Sequence, residues 1–450
     1  MKKIINAREA SLLALNRVED EGAFINLALA EVLGAHQMDP RDKRLAAEIT
    51  YGVVSYKMTL DWLISQAAGR PVSKLDKLVL TILRIGFYQL FYLDRVPESA
   101  ACNATVELIK KSKKKGLASF VNGVMRGALR KKDTFPWPDR DTDEVGYLSL
   151  KYAHPHWLVS RWVSRLGSEE AEALLAANNR PAPLSVRTNT LRVTRPELIE
   201  ALEGQGVKAV PGEVTPEDVI LEGSGRLTGL MAYRSGYFQV QGESAMLTSR
   251  ILDPAPGEQV LDGCSAPGGK TTHLAQLMEN QGKIVALDIY PHRLTLVDAT
   301  CRRLGIDIVR TQCLDVREAT EELVGVFDRI LLDVPCSGFG VIRRKPDLKW
   351  RRKEENIKEL SNVQKAILNA AAGILKPGGI IVYSTCTNEP EETDEVITSF
   401  LSSHSDFGVV AQETYLPKSW QDSAGEHGIH LYPHIHGVDG FFISRLQKKL

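Results

Sequence analysis

The sequence predicts a multidomain protein in three parts: an all-α amino-terminal domain, a small α+β connector and a carboxy-terminal α/β domain with a doubly wound sheet. Three observations carry this reading. At 450 residues the chain exceeds what one hydrophobic core sustains. Up to about residue 132 the apolar residues recur at helical spacing, without strand-like alternation of useful length. From about Tyr237 short apolar strands alternate with helices, the rhythm of a parallel sheet covered on both faces. The boundaries fall at 1–135, 136–235 and 236–450.

In the first part, Ala10, Leu13, Ala14 and Val18 share one helix face, and Leu27, Ala30 and Leu33 mark a second segment. Further helices are expected near Arg41–Val54, Leu60–Ala67, Lys74–Leu93, Ser99–Lys110 and Leu117–Arg130. The apolar run Leu78–Leu93 is too short for a membrane span and reads as a buried helix. Asp133–Asp143, with two prolines and four aspartates, reads as a linker. Helices near Pro155–Leu166 and Glu169–Ala177 follow, then a strand-like Leu184–Val193, a helix at Arg195–Gln205 and short strands at Val207–Val210 and Asp218–Leu221. In the third part the expected strands are Gln259–Leu261, Lys283–Leu287, Ile308–Gln312, Arg329–Leu332 and Gly379–Tyr383. The helices between them are Thr271–Leu277, Leu294–Leu304 and Ile357–Ile374.

Composition narrows the class. With 43% hydrophobic and 25% charged residues, the chain is neither disordered, fibrous nor a disulfide scaffold. Its 56 Lys+Arg against 56 Asp+Glu argue against a protein that grips nucleic acid over its whole surface. Met1–Glu9 holds no apolar stretch of the signal-peptide kind, and the six cysteines form no C-x-x-C pair. The expectation is a cytoplasmic protein with reduced thiols, no zinc site and no membrane partner.

Three stretches carry chemistry. In QVLDGCSAPGGK, Gln259–Lys270, a buried strand enters a glycine-bearing turn that opens a helix. Gly268 and Gly269 let backbone approach a ligand, and the helix start offers free amides. The glycine spacing fits neither the dinucleotide fingerprint nor the phosphate loop. Asp288 ends the next strand, nineteen residues beyond Gly269, while Asp315 and Asp333 follow the third and fourth. Carboxylates at successive strand ends converge on the carboxyl edge of such a sheet, which points to a nucleoside-containing cofactor.

The second stretch is LLDVPCSGFGVIRRKPDLKW, Leu331–Trp350, with Asp333 and Cys336 just beyond a strand and seven basic residues from Arg343 to Lys353. The third is YSTCTNEPEE, Tyr383–Glu392, where Cys386 again follows an apolar strand. A nearby helix start favours thiolate there and the acids Glu389, Glu391 and Glu392 oppose it. Two cysteines at the ends of strands of one sheet can lie together, but spacing leaves their roles open.

A P-C pair followed fifty residues later by T-C, downstream of A-P-G-G-K, resembles the RsmB/NOP-type RNA (cytosine-5) methyltransferase family. GYFQVQGESAML, Gly236–Leu247, and HGVDGFFISRL, His436–Leu446, resemble its flanking and closing motifs. The resemblance runs from about His154 to the end. The helical amino-terminal part resembles the RNA-binding NusB-like domain, and the combination is similar to the family's small-subunit ribosomal RNA methyltransferases. C-S-A-P-G-G-K stands where the family commonly has C-A-A-P-G-G-K, and G-E-S replaces the commoner D-E-S or D-A-A; neither change touches a catalytic group.

The resemblance implies a Rossmann-like methyltransferase domain that uses S-adenosylmethionine to methylate carbon 5 of a specific cytosine in 16S ribosomal RNA. It assigns the nucleophile to Cys386, resolution of the adduct to Cys336, and a contact with the base to Asp333. By the same analogy Cys264, Ser265, Ala266, Pro267, Gly268, Gly269, Lys270, Asp288, Asp315 and Asp333 line the cofactor pocket, with Lys270 balancing local carboxylates. RNA contacts are expected from Arg187 (in SVRTNTLR), from Lys113 and Lys114 within nine basic residues between Thr105 and Asp133, and from Arg343 and Arg344. Trp157 and Trp162 read as core residues. The expected partner is RNA, with the protein a monomer.

Two readings of other classes stand beside this: a non-catalytic RNA-binding protein and an adenylate-binding dehydrogenase. Neither gives the cysteine pair a role. A transfer RNA substrate stays open within the same enzyme class, and the helical domain favours ribosomal RNA.

Overall fold

The computed structural model describes residues 4–222, 227–318 and 325–450, so the first three residues of the charged amino-terminal stretch lie outside it. The chain forms two compact units. One comprises Met1–Arg180 together with Arg344–Arg351, the other Pro181–Arg343 and Arg352–Leu450.

The described part of the first unit is helical. Its helices are α1 (Ala7–Asp20), α2 (Ile25–Ala35), α3 (Pro40–Ser55), α4 (Lys57–Ala68), α5 (Lys77–Tyr92), α6 (Glu98–Lys110) and α7 (Ala118–Arg130), then α8 (Glu144–Tyr152), α9 (His156–Leu166) and α10 (Ser168–Asn178). Local chemistry sets several starts. Asn6 and Glu9 form a reciprocal capping box on α1, Asp39 caps α3 just ahead of Pro40, and Asp76 accepts from Leu78 and Val79 at the start of α5. α5 is the buried centre: Val79, Ile82, Leu83, Ile85 and Phe87 are all at most 1% exposed. Among the described residues no helix is long and apolar enough to cross a membrane.

The stretch read as a linker, Asp133–Asp143, is largely irregular but it is not loose. Phe135 is buried in the helical core and Trp137 packs 4.7 Å from Trp62. α8, α9 and α10 belong to this same compact unit, which runs to Arg180. Prolines and aspartates marked the absence of a helix; the aromatic rings decide the packing.

The second unit contains two sheets. β1 (Leu184–Thr188), β2 (Lys208–Pro211), β3 (Asp218–Glu222) and β4 (Phe238–Val240) form an antiparallel sheet in the order β2-β3-β1-β4. It packs against α11 (Arg195–Glu203) and the short α12 (Met231–Arg234) around Val186, Leu198, Leu202 and Phe238. The expected strand Leu184–Val193 ends early, at Thr188, and β4 carries no alternation long enough to be read from the sequence.

After α13 (Glu243–Leu252) come β5 (Gln259–Asp262), α14 (Gly269–Leu277), β6 (Lys283–Asp288), α15 (Pro291–Leu304), β7 (Val309–Cys313) and β8 (Phe327–Asp333). α16 (Leu348–Arg351) lies in the segment that belongs to the first unit. α17 (Glu355–Ile374), β9 (Leu375–Thr385), α18 (Asp394–Ser403), β10 (Phe407–Val409), β11 (Ile429–Leu431), α19 (Pro433–His436) and β12 (Phe441–Lys448) complete the chain. The sheet order is β10-β12-β9-β8-β5-β6-β7, with β11 on β12.

Strands β5 to β9 pair in parallel, as expected for a doubly wound sheet, whereas β10, β11 and β12 add an antiparallel edge. The period-2 burial of the strands separates the two layers. Val260, Leu331, Ile380 and Val382 face α13, α14 and α15. Leu261, Ile330, Leu332, Ile381 and Tyr383 face α17 and α18.

Within the helical unit Arg84 is 6% exposed and grips Asp61 with two bonds, of 2.7 and 2.8 Å, while a third reaches Glu19 at 3.2 Å. Removing one partner of a mostly buried pair strands the other, at a cost of roughly 3 kcal/mol. Arg84→Met should lower stability in urea by about that amount. A loss comparable to a surface pair, under about 1 kcal/mol, would show that the pair holds nothing together.

Candidate active site

The site is built at the carboxyl ends of β5, β6, β8 and β9. From β5 the chain enters the glycine turn. Gly263 N donates to Leu331 O at 2.9 Å, Ser265 N to Leu287 O at 2.8 Å and Gly268 N to Ser265 O at 2.8 Å, which pin the loop between the neighbouring strands. Gly268 caps α14 at φ +96°, and a Cβ there would press on the Val297 backbone at 3.0 Å. A Cβ on Gly269 would meet nothing nearer than 4.0 Å, so backbone is open to a ligand at that step.

Carboxylates surround this turn. Asp262, at the end of β5, is 1% exposed; its Oδ2 accepts from Thr271 Oγ1 at 2.6 Å, and its Oδ1 has no hydrogen-bond partner. Burial first, then the charge of Asp333, pushes its carboxyl up to about 7. Asp288 is 6% exposed, accepting from Tyr290 N at 2.9 Å and pairing with Arg293 at 3.2 Å. Arg293 also donates to Ala266 O at 3.0 Å, which ties the end of β6 to the turn. Asp315 is chelated by Arg317, whose bonds hold that carboxyl below the usual range. Lys270 Nζ reaches Asp333 Oδ2 at 2.7 Å, while Asp333 Oδ1 accepts from Ser384 Oγ at 3.1 Å. Lys270 thus joins the glycine turn to the loop that carries Cys336, the balancing role anticipated for it. Burial pushes the Cys264 thiol up.

The two strand-end cysteines meet. Cys336 Sγ lies 3.0 Å from Cys386 Sγ and accepts from Cys386 N at 3.3 Å. The hydrogen bond with Cys386, followed by burial, keeps Cys336 protonated far above the ordinary thiol range. Gly340 N donates to Cys386 O at 2.9 Å and Gly440 N to Gly340 O at 2.8 Å, an approach of backbones that leaves no room for a Cβ at Gly340. Arg352 closes the loop from behind, donating to Ser337 O and Cys336 O, each at 3.2 Å.

The donor set fits S-adenosylmethionine. Strand-end carboxylates accept from ribose hydroxyls and amino groups, the turn at Gly268–Gly269 admits close backbone approach, and the orphaned Asp262 Oδ1 leaves an acceptor beneath it. No His, Cys, Asp and Glu group among the described residues is arranged to hold a metal ion.

Comparison with known proteins places the chain. Residues 249–447 match the family 16S rRNA methyltransferase RsmB/F, residues 5–130 the NusB family, and residues 154–228 the ferredoxin-like domain of RsmF/B-like methyltransferases. The probable ribosomal RNA small subunit methyltransferase B of Bacillus subtilis is 37% identical, with 100% of both chains covered. The ribosomal RNA small subunit methyltransferase B of Klebsiella pneumoniae is 34% identical, again over 100% of both chains. The chain belongs to the ribosomal RNA small subunit methyltransferase B family. Among solved structures, PH0851 is similar at 30% identity with a TM-score of 0.84, covering 100% of both chains. A methyltransferase homologue from Pyrococcus horikoshii is 32% identical with a TM-score of 0.58, covering 67% of this chain and 97% of that one. As a member of this family the protein is an S-adenosylmethionine-dependent methyltransferase.

The residues expected to meet RNA divide. Lys113 and Lys114 are exposed in the first unit, although Lys114 pairs with Asp76 at 2.8 Å. Arg187 is 1% exposed and directs its guanidinium to Gln241, Gln276, Thr272 and the carbonyl of Gly269. It therefore braces the first turns of α14 and offers no charge to a phosphate. Arg343 is likewise turned inward, its side chain 5% exposed and bonded to Asp439 at 2.8 Å and to Gly437 O at 2.9 Å. Arg344 opens the segment that joins the first unit, where it is half-buried.

In that segment Lys349 is fully buried against Asn179, Trp350 Nε1 donates to Val54 O at 2.7 Å, and Arg351 donates to Gly22 O and Ala23 O. Much of the basic run is thus structural. Sequence reasoning missed Asp262, though its position at the strand end was a signal. It also missed Gln364 and Arg352, for which no local signal existed.

Two outcomes follow. Asp288→Ala should raise the dissociation constant for S-adenosylmethionine about tenfold or more, the loss of a charged hydrogen-bond acceptor; titration calorimetry giving an unchanged constant would remove Asp288 from the pocket. Asp262, free near 4 and about 7 when folded, holds a proton in the native state that the unfolded chain has released. Stability of the cofactor-free protein therefore falls as pH rises through that window, and Asp262→Asn should flatten the slope, by at most about 1.4 kcal/mol per pH unit. Identical urea midpoints against pH for both proteins would count against the raised carboxyl.

Proposed function

We propose that the protein methylates carbon 5 of a cytosine in small-subunit ribosomal RNA through a covalent adduct between Cys386 and carbon 6 of the base. The observation that carries this is the cysteine pair, with sulfurs 3.0 Å apart beside Asp333 at the carboxyl edge of the sheet. The curated relatives named for ribosomal RNA support the substrate class, and the match of residues 5–130 to the NusB family supports a separate RNA-binding part.

Carbon 5 of cytosine is a poor nucleophile. Addition of the Cys386 thiolate to carbon 6 places electron density on carbon 5 and divides one hard step into two easier ones. S-adenosylmethionine supplies an electrophilic methyl group to that carbon. Asp333, held by Lys270 and Ser384, is set to contact the amino edge or ring nitrogen of the base and stabilise the activated ring. Once a general base has taken the proton on carbon 5, the electron pair of that bond restores the ring double bond and the Cys386 sulfur leaves as thiolate. Cys336, held as a thiol, has its S–H at hydrogen-bond distance to steady that departing thiolate. Asp288, Asp315 and the turn Cys264–Lys270 hold the cofactor. The exposed Lys113 with neighbouring basic residues neutralises phosphates. Extruding the target base costs a few kcal/mol unless it is already unpaired.

The cysteine roles separate cleanly by experiment. Cys386→Ala should abolish methyl transfer and any denaturant-resistant protein–RNA complex. Cys336→Ala should instead accumulate that complex, visible as a shifted band on a denaturing gel. A complex that builds up with Cys386→Ala would exchange the two roles. Bisulfite sequencing of ribosomal and transfer RNA from cells lacking the gene decides the substrate: a site lost only from transfer RNA would overturn the ribosomal assignment.

A further inference from the structure

We propose that Glu392 is a positioning residue for this reaction: its carboxyl clamps the Cys336 loop to the segment that follows Cys386 and so sets one sulfur against the other for release of the methylated base. The inference rests on the cysteine roles proposed above and adds the group that enforces their geometry.

Glu392 lies six residues past the nucleophile, at the end of the short helical turn Pro390–Glu392, and is 0% exposed. Its Oε1 accepts from the backbone N–H of Ser337, next to Cys336, at 2.8 Å. The same oxygen accepts from Gln364 Nε2 at 2.9 Å, and that amide also donates to Pro335 O at 2.9 Å. Both residues flanking Cys336 are therefore held through one carboxyl and one amide. The clamp is fixed at its own end too, because Tyr383 OH, on β9, donates to Glu392 O at 2.7 Å. Ser337 Oγ adds a bond to Thr387 Oγ1 at 3.0 Å, beside Cys386.

A side chain is needed there for a physical reason. Past Asp333 the chain leaves β8, and Val334 N, donating to Ser384 O at 3.1 Å, makes the last ladder bond to β9. Ser337 is fully buried, so its N–H needs an acceptor that the sheet no longer provides. A buried carboxyl is a costly acceptor unless it is well bonded. Burial raises this one above the ordinary carboxyl range, so it tolerates the neutral form, which a glutamine imitates while keeping an acceptor at Oε1. An alanine leaves the Ser337 amide unsatisfied and the Cys336 loop untied.

The test compares Glu392→Ala, Glu392→Gln and Gln364→Leu with Cys336→Ala as reference, in the full-length protein with its RNA substrate. Glu392→Ala should lower kcat about tenfold, the loss of one hydrogen bond to a carboxyl, and accumulate denaturant-resistant adduct as Cys336→Ala does. The dissociation constant for S-adenosylmethionine should stay within about twofold, since the clamp touches no part of the cofactor turn. Glu392→Gln should recover most of the lost turnover and release its adduct. Gln364→Leu, which leaves the carboxyl in place, gives the same direction in smaller measure and serves if the alanine variant does not fold.

If Cys336→Ala traps adduct while Glu392→Ala and Gln364→Leu turn over and release normally, the positioning role is overturned and the cysteine roles stand. If cofactor affinity falls in step with kcat, Glu392 only supports the fold and the inference fails. If Cys336→Ala itself traps nothing, the cysteine roles fail and the clamp has no reaction to serve.

Discussion

The parallel pairing of β8 with β9, with Asp333 opposite Ser384, governs the chemistry of the second unit. Because side chains alternate along a strand, this register sends the two following loops out over the same edge. Their cysteines meet at 3.0 Å although fifty residues separate them. The register also sets Asp333 between Ser384 and Lys270, which joins the loop at β8 to the glycine turn at β5. A slip by one residue would turn Asp333 into the apolar layer and part the sulfurs. The Gly340–Gly440 crossing then narrows the tolerance further, since neither backbone can move away without losing a hydrogen bond to the other loop.

Several arginines and lysines serve this protein from inside. Arg187 reaches from the small sheet to the Gly269 carbonyl, Arg343 bonds Asp439, Arg352 holds the Cys336 and Ser337 carbonyls, and Lys349 is buried in the helical unit. Each has exchanged its hydration for bonds that fix a loop. Carbonyl oxygens at loop turns lack the ladder partners of a strand, and a guanidinium fork supplies several donors at once. A basic run in a sequence therefore counts candidate phosphate contacts poorly, and the balance of 56 against 56 formal charges says little about either use.

What could be read in advance follows the range of the interactions. Strands β5, β6, β8 and β9 and the longer helices among them were legible because buried parallel strands are short apolar runs and the helices repeat at 3.6 residues. The glycine turn and the two cysteine loops were legible because each follows such a strand directly. The short strands β4, β10 and β11 were not, at three residues each, since so few positions show no period. The packing of Phe135 and Trp137 escaped for another reason: proline and aspartate report on backbone shape and are silent on what aromatic rings touch. Arg187 belongs to the same class, its partners lying 54 to 89 residues away.

The carboxyls show how burial sorts residues that look alike in sequence. Asp262 ends strand β5 and Glu392 ends the short helical turn after β9, and both are pushed towards the neutral form by loss of water. Asp315 keeps its charge because Arg317 chelates it at the surface. The partly exposed acid answers to a cation, whereas the buried ones answer to neutral donors: Thr271 for Asp262, Ser337 and Gln364 for Glu392. A buried acid with such partners fixes geometry at the expense of stability. The sites where the fold accepts that cost are the glycine turn after β5 and the loop that carries Cys336.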